Sequence, residues 1–300
     1  MVVIDGRIKN AMTAVPGPIS PAKTSTIATR DGALYAEIFM PPNDAAPRGV
    51  VLINHGYAEH CGRYHEVAHV IALAGWAALS YDVRGHGKSP GPRGYIDRFQ
   101  TYLDDLDAVH AAARELVPAA APLVLLGHSH GSLIVLRALC GDRPPSCVAA
   151  VISSPFLGLK LAVPRHQLWL AKIGSMVAPK LAQPNALRVE DLTHDKAMQD
   201  ARTADKLCFD IATARWFTEA LAAQKYVVDH AAKIAVPTTW LIGGDDPIAD
   251  PAKSERVANT VKGAQVHVLA GFRHEVFNEV ERDRPFGELS KTLAACSAAI

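Results

Sequence analysis

Residues 123–131, Leu-Val-Leu-Leu-Gly-His-Ser-His-Gly, constrain this chain more than any other stretch. An apolar run fit for a buried strand ends at Gly127, and a helical apolar stretch runs from Ser132 to Leu139. Ser129 lies on the turn between them, with Gly127 and Gly131 on either side. Gly-x-Ser-x-Gly in a strand-to-helix context puts the serine on a strained turn that lifts its hydroxyl above the sheet. The glycines serve a steric need, because a side chain at either position would collide with neighbouring backbone. The first amides of the following helix point at the same place and favour negative charge there. The bland reading of the pentapeptide is a turn that happens to hold a serine.

The elements around this turn alternate. Segments 24–30 and 33–40 alternate in polarity across Asp31-Gly32, which predicts a hairpin. Apolar strands follow at 49–54, 76–82, 123–126 and 148–152, with helices at 63–75 and 98–116 between them. The second helix is expected to turn Asp104, Asp105 and Asp107 outward. Alternation resumes with a strand at 236–242, a helix at 252–261, a strand at 265–269 and a closing helix at 285–296. Strands buried on both faces between helices predict an α/β fold, a mostly parallel sheet covered on both sides. From 155 to 231 the pattern stops. This stretch is expected to be helical or irregular, without strands, broken by Pro164, Pro179 and Pro184 and rich in Leu168, Trp169, Leu170, Ile173, Met176 and Val177. It reads as an insertion over the carboxyl edge of a core formed by 24–154 and 232–300. Residues 1–23, with Pro16, Gly17, Pro18 and Pro21, read as an N-terminal extension.

Composition narrows the function classes. The 300 residues carry 31 basic and 30 acidic side chains, which argues against a nucleic-acid partner. No apolar stretch reaches the ~18 residues of a spanning helix, and the N-terminus lacks a signal-peptide core. Cys61, Cys140, Cys147, Cys208 and Cys296 are odd in number and form no Cys-x-x-Cys pair, so reduced thiols and a cytoplasmic location are expected.

A serine hydroxyl is a poor nucleophile until a base takes its proton and a carboxylate orients that base. Ser129 is followed, in loops after strands, by Asp245 and Asp246 and then by His274. Serine, acid, histidine is the chain order this chemistry takes on a parallel sheet. Asp250, ahead of Pro251, fits a helix N-cap instead. A tetrahedral intermediate needs two amides aimed at its oxyanion. The residue after the nucleophile, His130, supplies one, and Tyr57, after the first parallel strand, supplies the other. The rival motif is His65-Glu66-Val67-Ala68-His69, a zinc-protease pattern on a helix, but no third ligand follows it. No metal and no organic cofactor is called for.

Six blocks in order resemble the monoacylglycerol lipases and bacterial lysophospholipase-like hydrolases. They are Asn54-His-Gly-Tyr-Ala-Glu-His-Cys-Gly-Arg-Tyr64, Asp82-Val-Arg-Gly-His-Gly-Lys-Ser89, Gly127-His-Ser-His-Gly131, Leu192-Thr-His-Asp195, Leu241-Ile-Gly-Gly-Asp-Asp-Pro-Ile248 and Gly271-Phe-Arg-His-Glu-Val-Phe-Asn-Glu279. The likeness runs from about residue 25 to the C-terminus. It implies the α/β-hydrolase fold with a helical cap over 155–231, and Asp246 as the acid. Glu59 and Arg63 would shape the polar end of the substrate pocket, or form a structural salt bridge. The implied substrate is a small lipid ester, a monoacylglycerol or lysophospholipid cleaved through an acyl-enzyme, with transient membrane contact through the cap. An esterase or aminopeptidase acting on small non-lipid substrates is the alternative on the same scaffold. Two departures stand out. His130 replaces a methionine beside the oxyanion site, and Ser132 replaces a second glycine, which implies looser helix packing. Head group, acyl length and oligomeric state stay open.

Overall fold

The predicted hairpin forms first in the chain. In the computed structural model, which describes residues 20–160, 165–185 and 187–298, β1 (Lys23–Thr29) pairs antiparallel with β2 (Gly32–Phe39). Most of the proposed N-terminal extension, and Pro164, lie outside the described residues. The turn falls on Arg30 and Asp31, and Gly32 opens β2 at φ +118°, a conformation that side chains disfavour.

The alternating units follow. They are β3 (Val50–Asn54), α1 (His65–Leu73), β4 (Ala77–Tyr81), α2 (Gln100–Arg114), β5 (Leu123–His128), α3 (His130–Leu139) and β6 (Ala149–Ser153). The chain then leaves the sheet through α4 (Arg165–Val177), β7 (Ala182–Pro184), α5 (Lys196–Ala204), β8 (Ile211–Thr213) and α6 (Ala214–His230). It returns as β9 (Thr238–Gly243), α7 (Pro251–Ala258), β10 (Ala264–Leu269) and α8 (Asp283–Ala298). The eight-stranded sheet runs β1-β2-β4-β3-β5-β6-β9-β10, antiparallel at β1-β2 and β2-β4 and parallel from β4 onward.

The strands are apolar throughout because each feeds two cores. Val50, Leu52, Leu123 and Leu125 face the core built with α2, α3, α6 and α7. Val51, Ile53, Val124 and Leu126 face the one built with α1 and α8. Side chains of a strand alternate faces, so a sheet covered on both sides cannot show a polar period. Each such side chain buried contributes roughly 1.5–3 kcal/mol. Among the described residues no helix is long and apolar enough to cross a membrane.

Three expectations are corrected. The helix foreseen from residue 63 begins at His65, because Cys61–Tyr64 forms a 3-10 turn. Asp105 does not face outward with Asp104 and Asp107. It is buried, and Arg84 grips it with Nε to Oδ2 at 2.8 Å and Nη2 to Oδ1 at 2.6 Å. The stretch 155–231 is not free of strands, since β7 and β8 pair antiparallel, joining Gln183 to Ala212. Asp250 caps α7 as expected, accepting from Lys253 N at 3.1 Å.

Candidate active site

β5 delivers Ser129 onto α3 through a backbone that few residues tolerate, φ 50° and ψ −112°. The two glycines permit it. A Cβ on Gly131 would sit 2.2 Å from Asn54 O and 2.5 Å from His55 O, and one on Gly127 would sit 2.7 Å from Ser132 N. The turn is pinned by Ser129 N donating to Ser153 O at 2.9 Å and by Phe156 N donating to Ser129 O at 3.1 Å. Ser132 does not loosen α3. Its hydroxyl donates to Gly127 O at 2.7 Å and lies 3.1 Å from Ser153 O, tying the helix back to β5 and β6.

The loops after β9 and β10 bring the other two groups to this serine. Ser129 Oγ lies 2.8 Å from His274 Nε2, and His274 Nδ1 lies 2.7 Å from Asp246 Oδ2. With its Nδ1–H donated to the carboxylate, the ring keeps Nε2 as the acceptor for the serine proton. The other oxygen of Asp246 accepts from Ile248 N at 2.8 Å and Ala249 N at 3.0 Å, which fixes the carboxylate. Asp246 is 2% exposed, whereas its neighbour Asp245 is an exposed residue whose N–H is tied to Phe272 O. Burial pulls the His274 imidazole down, but the Asp246 charge and hydrogen bond, with Glu275 and Glu59 beyond, override it and raise its pKa. The His128 ring packs at a tilt of 57° against His274 with centroids 4.9 Å apart, and burial next to His274 pushes its pKa down to about 4, so it is neutral.

Tyr57 lines the same cavity as Ser129, and His130 follows the serine at the start of α3. Among the described residues neither backbone amide donates to a protein acceptor. The His130 side chain turns away into an aromatic cluster of Tyr57, Phe99, Tyr102 and Trp216. Burial, with His55 nearby, pushes its pKa down to about 3, so it adds no charge behind the site.

Glu59 and Arg63 form a buried network. Glu59 Oε1 accepts from Gly56 N at 2.6 Å and from Tyr64 Oη at 2.7 Å, and Oε2 accepts from Arg63 Nε at 3.1 Å. Arg63 Nη2 then donates to Glu275 Oε2 at 2.6 Å. Burial pushes the Glu59 carboxyl up, and the neighbouring His128, Arg63, His55 and Arg202, in that order, override this and hold it well below the usual carboxylate range. Of the pair only Glu59 lines the catalytic cavity. Arg63 does not, a correction to its place in the pocket but not to the other reading of the pair: it forms the structural salt bridge with Glu59, and Glu275 helps hold its guanidinium in the wall behind.

The cavity above Ser129 and His274 encloses about 710 Å³. The sheet loops supply its floor, and Leu170, Leu181, Leu187, Trp216 and Phe217 supply much of its apolar wall. Sequence reasoning missed His128, Arg202 and Trp216 as lining residues. His128 was readable inside the motif itself. Arg202 and Trp216 carry no local signal, since they reach the site only through the path of the chain between β6 and β9.

Metal donors do not converge at the zinc-protease motif. His65 Nε2 pairs with Glu37 at 2.7 Å, and Glu66 pairs with Arg282 at 3.0 Å. Donors of His60, Asp205 and Cys208 do lie within 4.8 Å of one another. There, however, Gly62 N donates to His60 Nδ1 at 3.2 Å, which keeps the proton on Nε2, and Nε2 donates it to Asp205 at 2.7 Å. A metal-bound imidazole needs an acceptor at its far nitrogen, and this one meets a donor.

A nucleophile, base and acid in line at the carboxyl edge of a parallel sheet is an arrangement for acyl transfer. Known proteins agree with this geometry. The family model described as serine aminopeptidase, S33, matches residues 45–281. The monoacylglycerol lipase of Mycolicibacterium smegmatis is 31% identical over 249 residues, 82% of this chain and 87% of that protein. Phospholipase YtpA of Bacillus subtilis is 30% identical over 246 residues, 80% of this chain and 93% of that protein. The crystal structure of Paleococcus ferrophilus monoacylglycerol lipase superposes with a TM-score of 0.79 at 27% identity, covering 88% of this chain and 99% of that one. With its family model spanning the sheet, the loops and the site, and with lipid hydrolases of the same architecture among its relatives, the chain belongs to the serine aminopeptidase S33 family of α/β-hydrolases.

Proposed function

We propose that this protein hydrolyses carboxylic esters of lipids, monoacylglycerols or lysophospholipids, through an acyl-enzyme on Ser129. The observation that carries the reading is the Ser129–His274–Asp246 hydrogen-bonded line opening into a 710 Å³ cavity with an apolar wall. Ser129 Oγ attacks the ester carbonyl while His274 Nε2 takes its proton. The amides of Tyr57 and His130 hold the oxyanion. His274 returns the proton to the leaving alcohol, and water then attacks the acyl carbonyl by the same route in reverse. Asp246 keeps the imidazole in the tautomer this needs. The stretch 155–231 acts as the cap, whose apolar wall takes the acyl chain at roughly 0.8 kcal/mol for each CH₂ buried. Glu59 holds the turn that carries the Tyr57 amide.

The polar end of the cavity favours an ester over a peptide. An aminopeptidase must offer a carboxylate to the substrate's free ammonium. Here Glu59 and Glu275, both lining the cavity, are held by Arg63. A cytoplasmic location is part of the same proposal, supported by the five unpaired thiols. The cap can also touch a lipid surface with its exposed Trp169, Leu170, Met176 and Val177.

The test is fatty-acid release from a long-chain monoacylglycerol and from the matching lysophosphatidylcholine, with an aminoacyl naphthylamide as third substrate and Ser129→Ala as blank. Release from either lipid, absent in the blank, supports the reading and names the head group. Cleavage of the amide alone would replace it with peptidase action.

A further inference from the structure

The turn that carries the Tyr57 amide is strained, and the core alone does not hold it. Ala58 sits at φ +62°, a left-handed conformation for a residue with a Cβ, and such a turn keeps its shape only where its surroundings over-determine it. From the core comes the bond of Gly56 N to Glu59. Most of the other restraints come from residues 202–216. Phe209 N donates to Ala58 O at 3.2 Å, and Arg202 Nη2 donates to the same oxygen at 3.3 Å. Tyr57 Oη donates to Ile211 O at 2.7 Å, and its ring stacks on Trp216 with centroids 3.7 Å apart and planes 27° apart. His60, at the far end of the turn, pairs with Asp205 at 2.7 Å. The segment is itself rooted in the core, since Thr213 N and Oγ1 both donate to Gly94 O, at 3.0 and 2.8 Å.

Arg202 is the informative member. It is 8% exposed, and among the described residues no carboxylate lies within 4.0 Å of its guanidinium. A buried arginine is usually matched to an anion. This one acts on the buried Glu59 only through its charge, and its hydrogen bonds go to a backbone carbonyl one residue past the oxyanion donor and to Cys208 Sγ at 3.6 Å.

We infer that residues 202–216 are part of the oxyanion machinery, with Arg202 and the Tyr57 hydroxyl as positioning residues that hold the Tyr57 amide where charge develops. The inference rests on the reading of that amide as an oxyanion donor. The stretch rooted at Gly94 and Ala58 therefore stays docked through turnover.

The experiment compares Arg202→Met, Arg202→Lys and Tyr57→Phe with the unaltered enzyme on a soluble p-nitrophenyl ester. It also measures inhibition by an alkyl trifluoromethyl ketone. Addition of Ser129 Oγ to that carbonyl passes the serine proton to His274 and leaves the former carbonyl oxygen as an oxyanion, so the affinity reads the hole directly. Complete loss of one oxyanion donor costs about 10²–10³ in kcat, and a displaced donor costs part of that. The expected result is a kcat about 10-fold lower for Arg202→Met and about 3-fold lower for Tyr57→Phe, with KM within about twofold and ketone affinity weakened by the same factors. Arg202→Lys, which keeps a donor, regains most of both. A folded Arg202→Met with full kcat overturns the inference. So does a rise in KM with kcat and ketone affinity unchanged, which would make Arg202 a head-group contact. If Arg202→Met fails to fold, Tyr57→Phe decides alone, and unaltered kcat and ketone affinity there overturn the inference. A different result strikes the underlying reading instead: an unaltered enzyme that forms no ketone adduct has no oxyanion hole to support.

Discussion

Asp245 and Asp246 are chemically identical neighbours, and only their surroundings separate them. Asp246 is buried with one oxygen on His274 and the other on two amides, while Asp245 is exposed. Asp246→Asn is therefore expected to lower kcat by about 10⁴, because the amide stabilises the wrong imidazole tautomer, while Asp245→Asn stays within about twofold. Ester turnover by the two purified variants checks this, and the opposite order would move the acid to Asp245. The histidine adds a pH signature. His274 must be neutral to accept a proton, and its pKa is raised above the ordinary histidine value by Asp246. The acid limb of kcat/KM is then expected above that ordinary value, and the residual activity of Asp246→Asn should shift its limb to lower pH, since burial alone pulls the ring down. The sign for stability is opposite. A pKa raised in the folded state contributes stability below the unfolded value and loses it as pH rises through the folded one, so acid costs activity before it costs this interaction. The serine and histidine of this site were legible because chain order and the flanking glycines are sequence properties. The choice of Asp246 came from the resemblance of its loop, not from spacing alone. The Glu59–Arg63 salt bridge was one of the two readings the sequence allowed, but the second carboxylate that draws Arg63 into the wall was not legible, because Glu275 lies 212 residues away.

At the scale of elements, the elbow depends on how closely α3 approaches β3. Gly131→Ala would drive a methyl into two carbonyl oxygens of fixed backbone, at 2.2 and 2.5 Å, and no side chain there can yield. The expected loss is about 3 kcal/mol or more, seen as insoluble protein or a much earlier urea midpoint. The Arg84–Asp105 pair makes a second test, because it also binds the hairpin turn through Asp31 O and Thr29 Oγ1. Asp105→Ala leaves a buried guanidinium without its carboxylate, and about 3 kcal/mol of unfolding free energy should go with it, measured by the same titration. Asp105 was misread for a simple reason. Three acids close together on a helix look like a solvated face, and what draws one of them inward is an arginine in another loop. β7 and β8 escaped notice because each is three residues long, one ends in Pro184, and short strands carry no period to detect.

For the whole molecule, the sequence pattern specifies which stretches form the strands of the main sheet but not their order. A buried parallel strand is uniformly apolar, so nothing in it names its neighbour, and the β4-β3-β5-β6-β9-β10 arrangement arises from right-handed crossovers and packing. The same blindness covers the excursion between β6 and β9, whose placement depends on contacts made far along the chain. Its surface nevertheless has a readable character. Trp169, Met176 and Val177 are 62%, 70% and 75% exposed, and no acidic residue occurs from 155 to 189. Lys160, Lys172, Lys180 and Arg188 are exposed on the same stretch. Exposed apolar side chains and cations on one stretch free of acids would suit an anionic lipid surface, each apolar anchor contributing about 1.5 kcal/mol and each cation about 1 kcal/mol near the headgroups. Trp169→Ser with Met176→Ser should weaken sedimentation with vesicles containing anionic lipid by roughly tenfold for each side chain, while a soluble short-chain ester is hydrolysed at the unaltered rate. Neutral vesicles should bind the unaltered protein more weakly, and added salt should remove the difference between the two surfaces. Equal loss on the soluble ester would place Trp169 and Met176 in the packing of the acyl cavity, where α4 already contributes Leu170 and Gly174 to the wall.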